Sequence, residues 1–416
     1  MSTSTYSATD GASRRRGPNP NARIEVLIPS PSKAKEQLAS KSNPNGHLRN
    51  ASKSASAPEP KSQLKRRESR SWLRRFKHRA VKHTWLVPLI LVLAFLSVYA
   101  LNPTPSNIVH RFIFLSYEQS PVDIGGPVQY GKGLWDVAFV AFYTIVLSFT
   151  REFIMQELLS PFARFCGIRS QRKQARFMEQ MYTAIYCACT GAAGLYVMSR
   201  TPVWYFRTAG MYEGFPHRTH EAAFKFYYLF EAAYWAQQAL VMLLGLEERR
   251  KDFKELVAHH IVTLALIGLS YRFHFTYIGI AIYTTHDISD FFLAISKSLH
   301  YAGSDIMMPF YALNVVAWIY LRHYLNLHIL YSLLTEFRTI GPYELNWETQ
   351  QYKCWISNII TFALLAMLQS LNLFWLYCLG RSSWKFITTG EKKDDRSDDS
   401  GPEEDAQAPE NESVKH

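Results

Sequence analysis

Residues 255–296 read ELVAHHIVTLALIGLSYRFHFTYIGIAIYTTHDISDFFLAIS. Two apolar runs, 256–272 and 274–297, are separated only by the polar-aromatic step from Arg272 to Phe275. Each run has helix length, and so short a break makes the two helices antiparallel neighbours. The midpoint lies near Phe273. His260 stands thirteen residues before it and His286 thirteen after. At 1.5 Å per residue both lie ~20 Å from the turn. The hairpin therefore brings His259-His260 and His286-Asp287 to about the same depth. Asp287 and Asp290 are three apart and close to one helix face. His286, next to Asp287, points partly elsewhere.

Working outward, the chain shows eight apolar segments: 85–101, 134–158, 177–199, 223–245, 256–272, 274–297, 306–330 and 353–379. About 20 apolar residues cross ~30 Å of hydrocarbon. The expected fold is therefore an all-α integral membrane protein of about eight transmembrane helices. The first run starts too far into the chain, and lacks the small-residue site, for a cleaved signal peptide. Aromatic residues make up 14% of the chain, which suits rings half buried at a membrane boundary.

Basic residues orient the bundle. The flank Lys61–Lys82 carries ten Lys/Arg against one Glu and is expected to stay cytoplasmic. Counting crossings, loop 159–176 is then cytoplasmic, with Arg164, Arg169, Arg172, Lys173 and Arg176. So is loop 247–255, with Arg249, Arg250, Lys251 and Lys254, although that loop also holds four acids. An even count returns the C-terminus to the same side, and the 102–133 and 331–352 segments face the lumen. The basic flank also suits anionic lipids, but a topogenic role accounts for it. Nucleic acid is a poor partner, because a span follows at once.

The organisation expected is a basic, disordered tail over 1–83, a first span and luminal loop over 84–133, a membrane catalytic domain over 134–385 and an acidic cytoplasmic tail over 386–416. Few large apolar residues occur in the first sixty, and ten Asp/Glu crowd Gly390–His416. The sequons at Asn50 and Asn411 fall in these tails and should stay unmodified. Ser397 and Ser400 lie in sequence that an acidophilic kinase accepts. The cysteines, Cys166, Cys187, Cys189, Cys354 and Cys378, show neither zinc spacing nor a disulfide framework.

Ionisable groups in a membrane are costly and need a reason. One reason is a polar knot pinning two helices. Five such groups at one level, nearer the cytoplasmic end, favour a functional site instead.

The residues resemble a known family. Arg249-Arg250-Lys251-Asp252-Phe253-Lys254, then His259-His260-Ile261-Val262-Thr263, then His286-Asp287-Ile288-Ser289-Asp290, look like the Lag motif of ceramide synthases. Phe224-Lys225-Phe226-Tyr227-Tyr228, Tyr234-Trp235-Ala236-Gln237-Gln238, Thr335-Glu336-Phe337-Arg338-Thr339 and Gln350 to Ile356 look like that family as well. The resemblance covers about 130 to 380, and the long basic tail without a homeobox-like insert is similar to the fungal members. It implies a TLC-type helical bundle enclosing a lipid cavity, in the endoplasmic reticulum membrane. It implies N-acylation of a sphingoid base by acyl-CoA, a co-substrate, with no permanently bound cofactor and no metal. It also suggests homo- or heterodimers, and fungal relatives can require a small single-span regulatory subunit.

A thioester is already activated, so the reaction needs a neutral amine, a proton acceptor and oxyanion stabilisation. Histidine suits the proton role. The His259-His260 pair is expected at the acyl-transfer centre, one as general base or as a nucleophile forming an acyl-imidazole. Asp287 and Asp290 would orient an imidazole, or one would donate to the departing thiolate. His286 joins the site without an assigned role. Arg249, Arg250, Lys251 and Lys254 border the mouth through which CoA would approach, though topology accounts for them equally. Two rivals remain. A di-iron hydroxylase would need repeated His boxes, and only His217 and His220 form a box-like pair, on the opposite side. A non-enzymatic TLC-type lipid carrier, sensor or translocation helper would not need paired His and Asp.

Overall fold

The computed structural model describes residues 75, 77–120, 126–247 and 250–389. Both sequons, Ser397, Ser400 and Arg249 lie outside them. Each expected apolar segment contains one long helix. These are α1 (Leu86–Leu101), α2 (Trp135–Phe153, continued through a π turn Ile154–Leu159 to Phe165), α3 (Gln171–Ser199) and α4 (Ala222–Leu243). Then come α5 (Phe253–Arg272), α6 (Thr276–Tyr301), α7 and α8 (Trp355–Thr389). Helix α7 runs Met307–Trp318, widens into a π turn at Ile319–Tyr324 and continues as Leu325–Thr339.

Among the described residues, α2, α3, α5 and α8 are long and apolar enough to cross a membrane by length and composition, and α1 is apolar but 16 residues long. The others, α4, α6 and α7, carry much of the buried polar inventory: Lys225, Glu231 and Gln237; His286 and Asp287; Asn314, Arg322 and His323. Their polar groups turn into the protein, which lowers their average hydropathy without presenting charge to lipid.

The turn between α5 and α6 is three residues, with His274 in the left-handed region at φ 67°. Helix α3 lies along α6 at close range. A Cβ on Gly194 would stand 2.5 Å from the Tyr227 hydroxyl and 2.8 Å from Thr284 Oγ1. Small residues on α3 thus let α6 and its acidic residues approach. Helix α8 packs on α5, and α7 on α6.

The end of the bundle that holds the α5–α6 turn is closed by a polar cap. Three two-residue strands, β1 (Glu118–Gln119), β2 (Gln129–Tyr130) and β3 (His220–Glu221), pair antiparallel in that order, with Gln129 opposite Glu221. Lys225 Nζ meets Asp136 at 2.7 Å and donates to the Gly131 and Ser116 carbonyls at 2.7 and 2.8 Å. Tyr271 donates to Asp136 at 2.8 Å. Lys132 donates to the His217 carbonyl at 2.7 Å and lies 3.3 Å from His274 Nδ1. Burial, helped by the Lys225 charge, pushes the Lys132 ammonium well down.

The cap makes stability pH-dependent. Burial pushes the His217 imidazole down to about 4; its hydrogen bond to the Glu213 carbonyl opposes this and the Lys132 charge adds to it. Between that value and about 6.5 the unfolded chain binds the proton and the folded chain does not, so stability rises with pH. The contribution is complete above pH ~6.5 and is withdrawn as pH falls toward 4, at up to about 1.4 kcal/mol per pH unit for one group. In detergent, the unfolding temperature is expected to fall across that window and to fall less in His217→Gln. Identical pH profiles for the two proteins would refute this.

Candidate active site

The α5–α6 hairpin sets His259, His260 and His286 level, and all three are buried. Trp235 of α4 presents its ring edge-on to His259 and His260, at 5.5 and 5.9 Å between centroids. Trp375 of α8 also meets His259 edge-on, at 5.2 Å. His259 thus contacts two indoles, and its Nδ1 has no hydrogen-bond partner among the described residues. His260 Nδ1 donates to the Leu256 carbonyl, one turn back, at 2.9 Å. His286 Nδ1 donates likewise to the Ile282 carbonyl at 2.8 Å. That bond fixes the ring and leaves the lone pair on Nε2, which is buried and has no partner among the described residues. His259 and His286 are electrostatic neighbours, and the Glu247 charge of the loop acts on His260.

The carboxylates take partners other than an imidazole. Asp287 accepts from the Tyr227 hydroxyl of α4 at 3.3 Å. It faces Glu231, a fully buried carboxyl to which Tyr186 of α3 donates at 3.0 Å. Asp290 accepts from Arg322 Nη2 of α7 at 2.5 Å. The expectation that both acids orient an imidazole is replaced by main-chain orientation of His260 and His286. The physical reason is that a buried guanidinium must be neutralised, and Asp290 stands within its reach.

His286 sits at one end of an apolar cavity of about 220 Å³ between α5, α6 and α8. Trp235, Thr263 and Tyr283 line the same end. Leu266, Ile267, Gly279, Thr361 and Leu364 line the middle, and Phe273, Trp347 and Tyr352 the far end. From His286 to Phe275 the helix rises ~16 Å. One unpartnered ring nitrogen thus meets a narrow apolar slot. Such a slot suits a hydrocarbon chain whose reacting carbon stops at the imidazole.

The basic residues of the mouth differ among themselves. Arg250 grips Asp252 through two bonds, of 3.0 and 2.9 Å, and Asp252 also accepts from Trp375 Nε1 at 3.1 Å. Arg250 is thus tied to the wall that flanks His259. Lys254 is exposed near the start of α5. Glu231, Arg322 and Trp375 were not singled out by the sequence reading. Arg322 and Glu231 carried a usable signal, since each is an ionisable residue within an apolar helix. Trp375 carried none, because a tryptophan in a membrane helix is unexceptional.

Residues 176–381 match the family model described as the TLC domain. The chain is 55% identical over 338 residues to the sphingosine N-acyltransferase-like protein FUM17 of Gibberella moniliformis, covering 80% of this chain and 87% of that one. It is 47% identical to the sphingosine N-acyltransferase lac1 of Schizosaccharomyces pombe, covering 82% and 88%. To the ceramide synthase LAG1 of Saccharomyces cerevisiae it is 48% identical, covering 77% and 78%. With a TLC-domain match and this identity across most of both chains, the protein belongs to the ceramide synthase family of sphingosine N-acyltransferases.

Proposed function

We propose that this chain transfers a fatty acyl group from acyl-CoA to the primary amine of a sphingoid base, releasing free CoA and a ceramide. The observation that carries the reading is His286, whose Nε2 has no partner among the described residues, at the end of the apolar cavity and within electrostatic reach of His259. The amine nitrogen forms a bond to the acyl carbon, the carbon–sulfur bond breaks, and the proton lost by the amine ends on the thiolate. An imidazole can take that proton and return it. It can equally take the acyl group first, as an acyl-imidazole, and pass it to the amine. His259 and His286 are the residues for these steps. His260, Asp287 and Asp290 hold their surroundings. In this reading the eight helices all span the bilayer, both tails face the cytoplasm and the membrane is that of the endoplasmic reticulum. CoA is polyanionic, so it enters from the cytoplasmic end, past Arg249, Lys251 and Lys254. A dimer and a small single-span subunit are carried into this reading on the resemblance alone.

The test is a membrane preparation from cells without ceramide synthase activity of their own, expressing this chain. Supplied with acyl-CoA and sphinganine, it should release CoA and form N-acylsphinganine in equal amounts. A non-enzymatic lipid carrier would form none. Absence of amide from correctly inserted protein would overturn the reading.

A further inference from the structure

Arg322 is a guanidinium within a membrane helix, with its side chain 3% exposed. Placing it there costs several kcal/mol unless each donor is satisfied. Four of its five N–H donors are engaged. Nε donates to Ser289 Oγ at 2.6 Å, Nη1 to Asn372 Oδ1 at 3.2 Å, and Nη2 to Asp290 Oδ1 at 2.5 Å and to the His286 carbonyl at 3.4 Å. The Trp318 ring lies 4.3 Å beneath the guanidinium. Three of the four acceptors belong to a single turn of α6, residues 286–290. The fourth is on α8, three residues before Trp375, the indole that flanks His259.

The backbone is shaped for this contact. Arg322 and the adjacent His323 both lie on a π turn. The π turn Ile319–Tyr324 widens the helix there, and both are buried. His323 Nδ1 then accepts from Gln369 of α8 at 2.7 Å. Isolated π turns within α-helices are uncommon and concentrate at functional sites.

We propose that Arg322 is a positioning residue for the acyl transfer, clamping the 286–290 turn to α8 so that His286 Nε2 holds a fixed place relative to His259 and the cavity. The inference rests on the ceramide synthase reading. A guanidinium does this and an ammonium does not. The planar fork spans Ser289, Asp290, Asn372 and a carbonyl at once, whereas lysine supplies one point charge on a flexible stem. Lysine still neutralises Asp290, so the substitution separates clamping from charge balance.

The experiment measures kcat, KM and thermal unfolding for purified native protein, Arg322→Lys and Ser289→Ala. The expected result for Arg322→Lys is a fall in kcat of about 100-fold, with both KM values within about twofold and unfolding close to native. Ser289→Ala keeps the Arg322–Asp290 pair and removes one clamp point, and it should lower kcat by about tenfold. If Arg322→Lys fails to insert, Ser289→Ala alone decides. Native kcat in folded Arg322→Lys, or in Ser289→Ala where that variant decides, overturns the proposal. So does a loss that only tracks the folded fraction. No amide from the native chain itself would instead sink the reading beneath it, and the proposal with it.

Discussion

Replacing His286 or His259 with alanine is expected to lower the rate of ceramide formation by about 10²–10⁴-fold in protein that is inserted and folded. The two rings are electrostatic neighbours, and only His286 both lines the cavity and offers an unpartnered Nε2. Loss of that nitrogen removes the acceptor for the amine proton and any route through an acyl-imidazole. His260→Ala should cost much less, about tenfold. Its ring abuts Trp235, and His260 does not line the cavity. Steady-state assays with acyl-CoA and sphinganine supply the comparison. Native turnover in both His286→Ala and His259→Ala would refute the assignment, as would a His260→Ala loss equal to theirs. Incubation with labelled acyl-CoA alone separates the two chemical routes. A label retained by native protein but not by one of the alanine variants identifies the nucleophile, and its absence in a single turnover points to direct attack by the amine.

Thr361→Trp is expected to shift acyl preference toward shorter chains. Thr361 lines the middle of the cavity, on α8, seven residues from Leu368, which also lines it. That spacing is ~10 Å along the helix. An indole there would block the stretch leading to Phe273 and Tyr352 while leaving the His286 end open. Each methylene denied burial forfeits about 0.8 kcal/mol. Four of them correspond to roughly 3 kcal/mol, or about a hundredfold in kcat/KM for the longest acyl-CoA accepted by the native chain. Short acyl-CoA should react at near-native rates, because the reacting end is untouched. Equal losses across all lengths would show that the substitution acts on folding rather than on chain accommodation.

Much of this architecture was legible from local pattern. Apolar runs of helix length placed every long helix, and the Arg272–Phe275 break located the hairpin turn within its three observed residues. The match in depth of His259 and His286 follows from counting, because two antiparallel helices with one rise per residue have no freedom there. The turn of each side chain about its helix axis is a different quantity. Asp287 and Asp290 sit on one helix with similar spacing to the turn, yet one goes to Tyr227 and the other to Arg322. Those partners come from α4 and α7, about sixty and thirty residues away in the chain, and periodicity within α6 contains nothing about them.

The sequence by itself determined the membrane class, the hairpin, the level of the histidines and, through motifs in their order, the family. Each of these depends on hydrophobic length, helical rise or the spacing of residue types, which are properties of contiguous chain. Tertiary structure alone decided which imidazole faces the cavity, that carbonyls rather than acids orient His260 and His286, and that Arg322 joins α6 to α8. It also decided where the cavity runs, since α4 and α8, distant in the chain from each other, must meet the α5–α6 hairpin to enclose it. The π turn that carries Arg322 and His323 is settled the same way. A wider turn costs local hydrogen-bond geometry, and only the partners it reaches on α6 and α8 offset that cost.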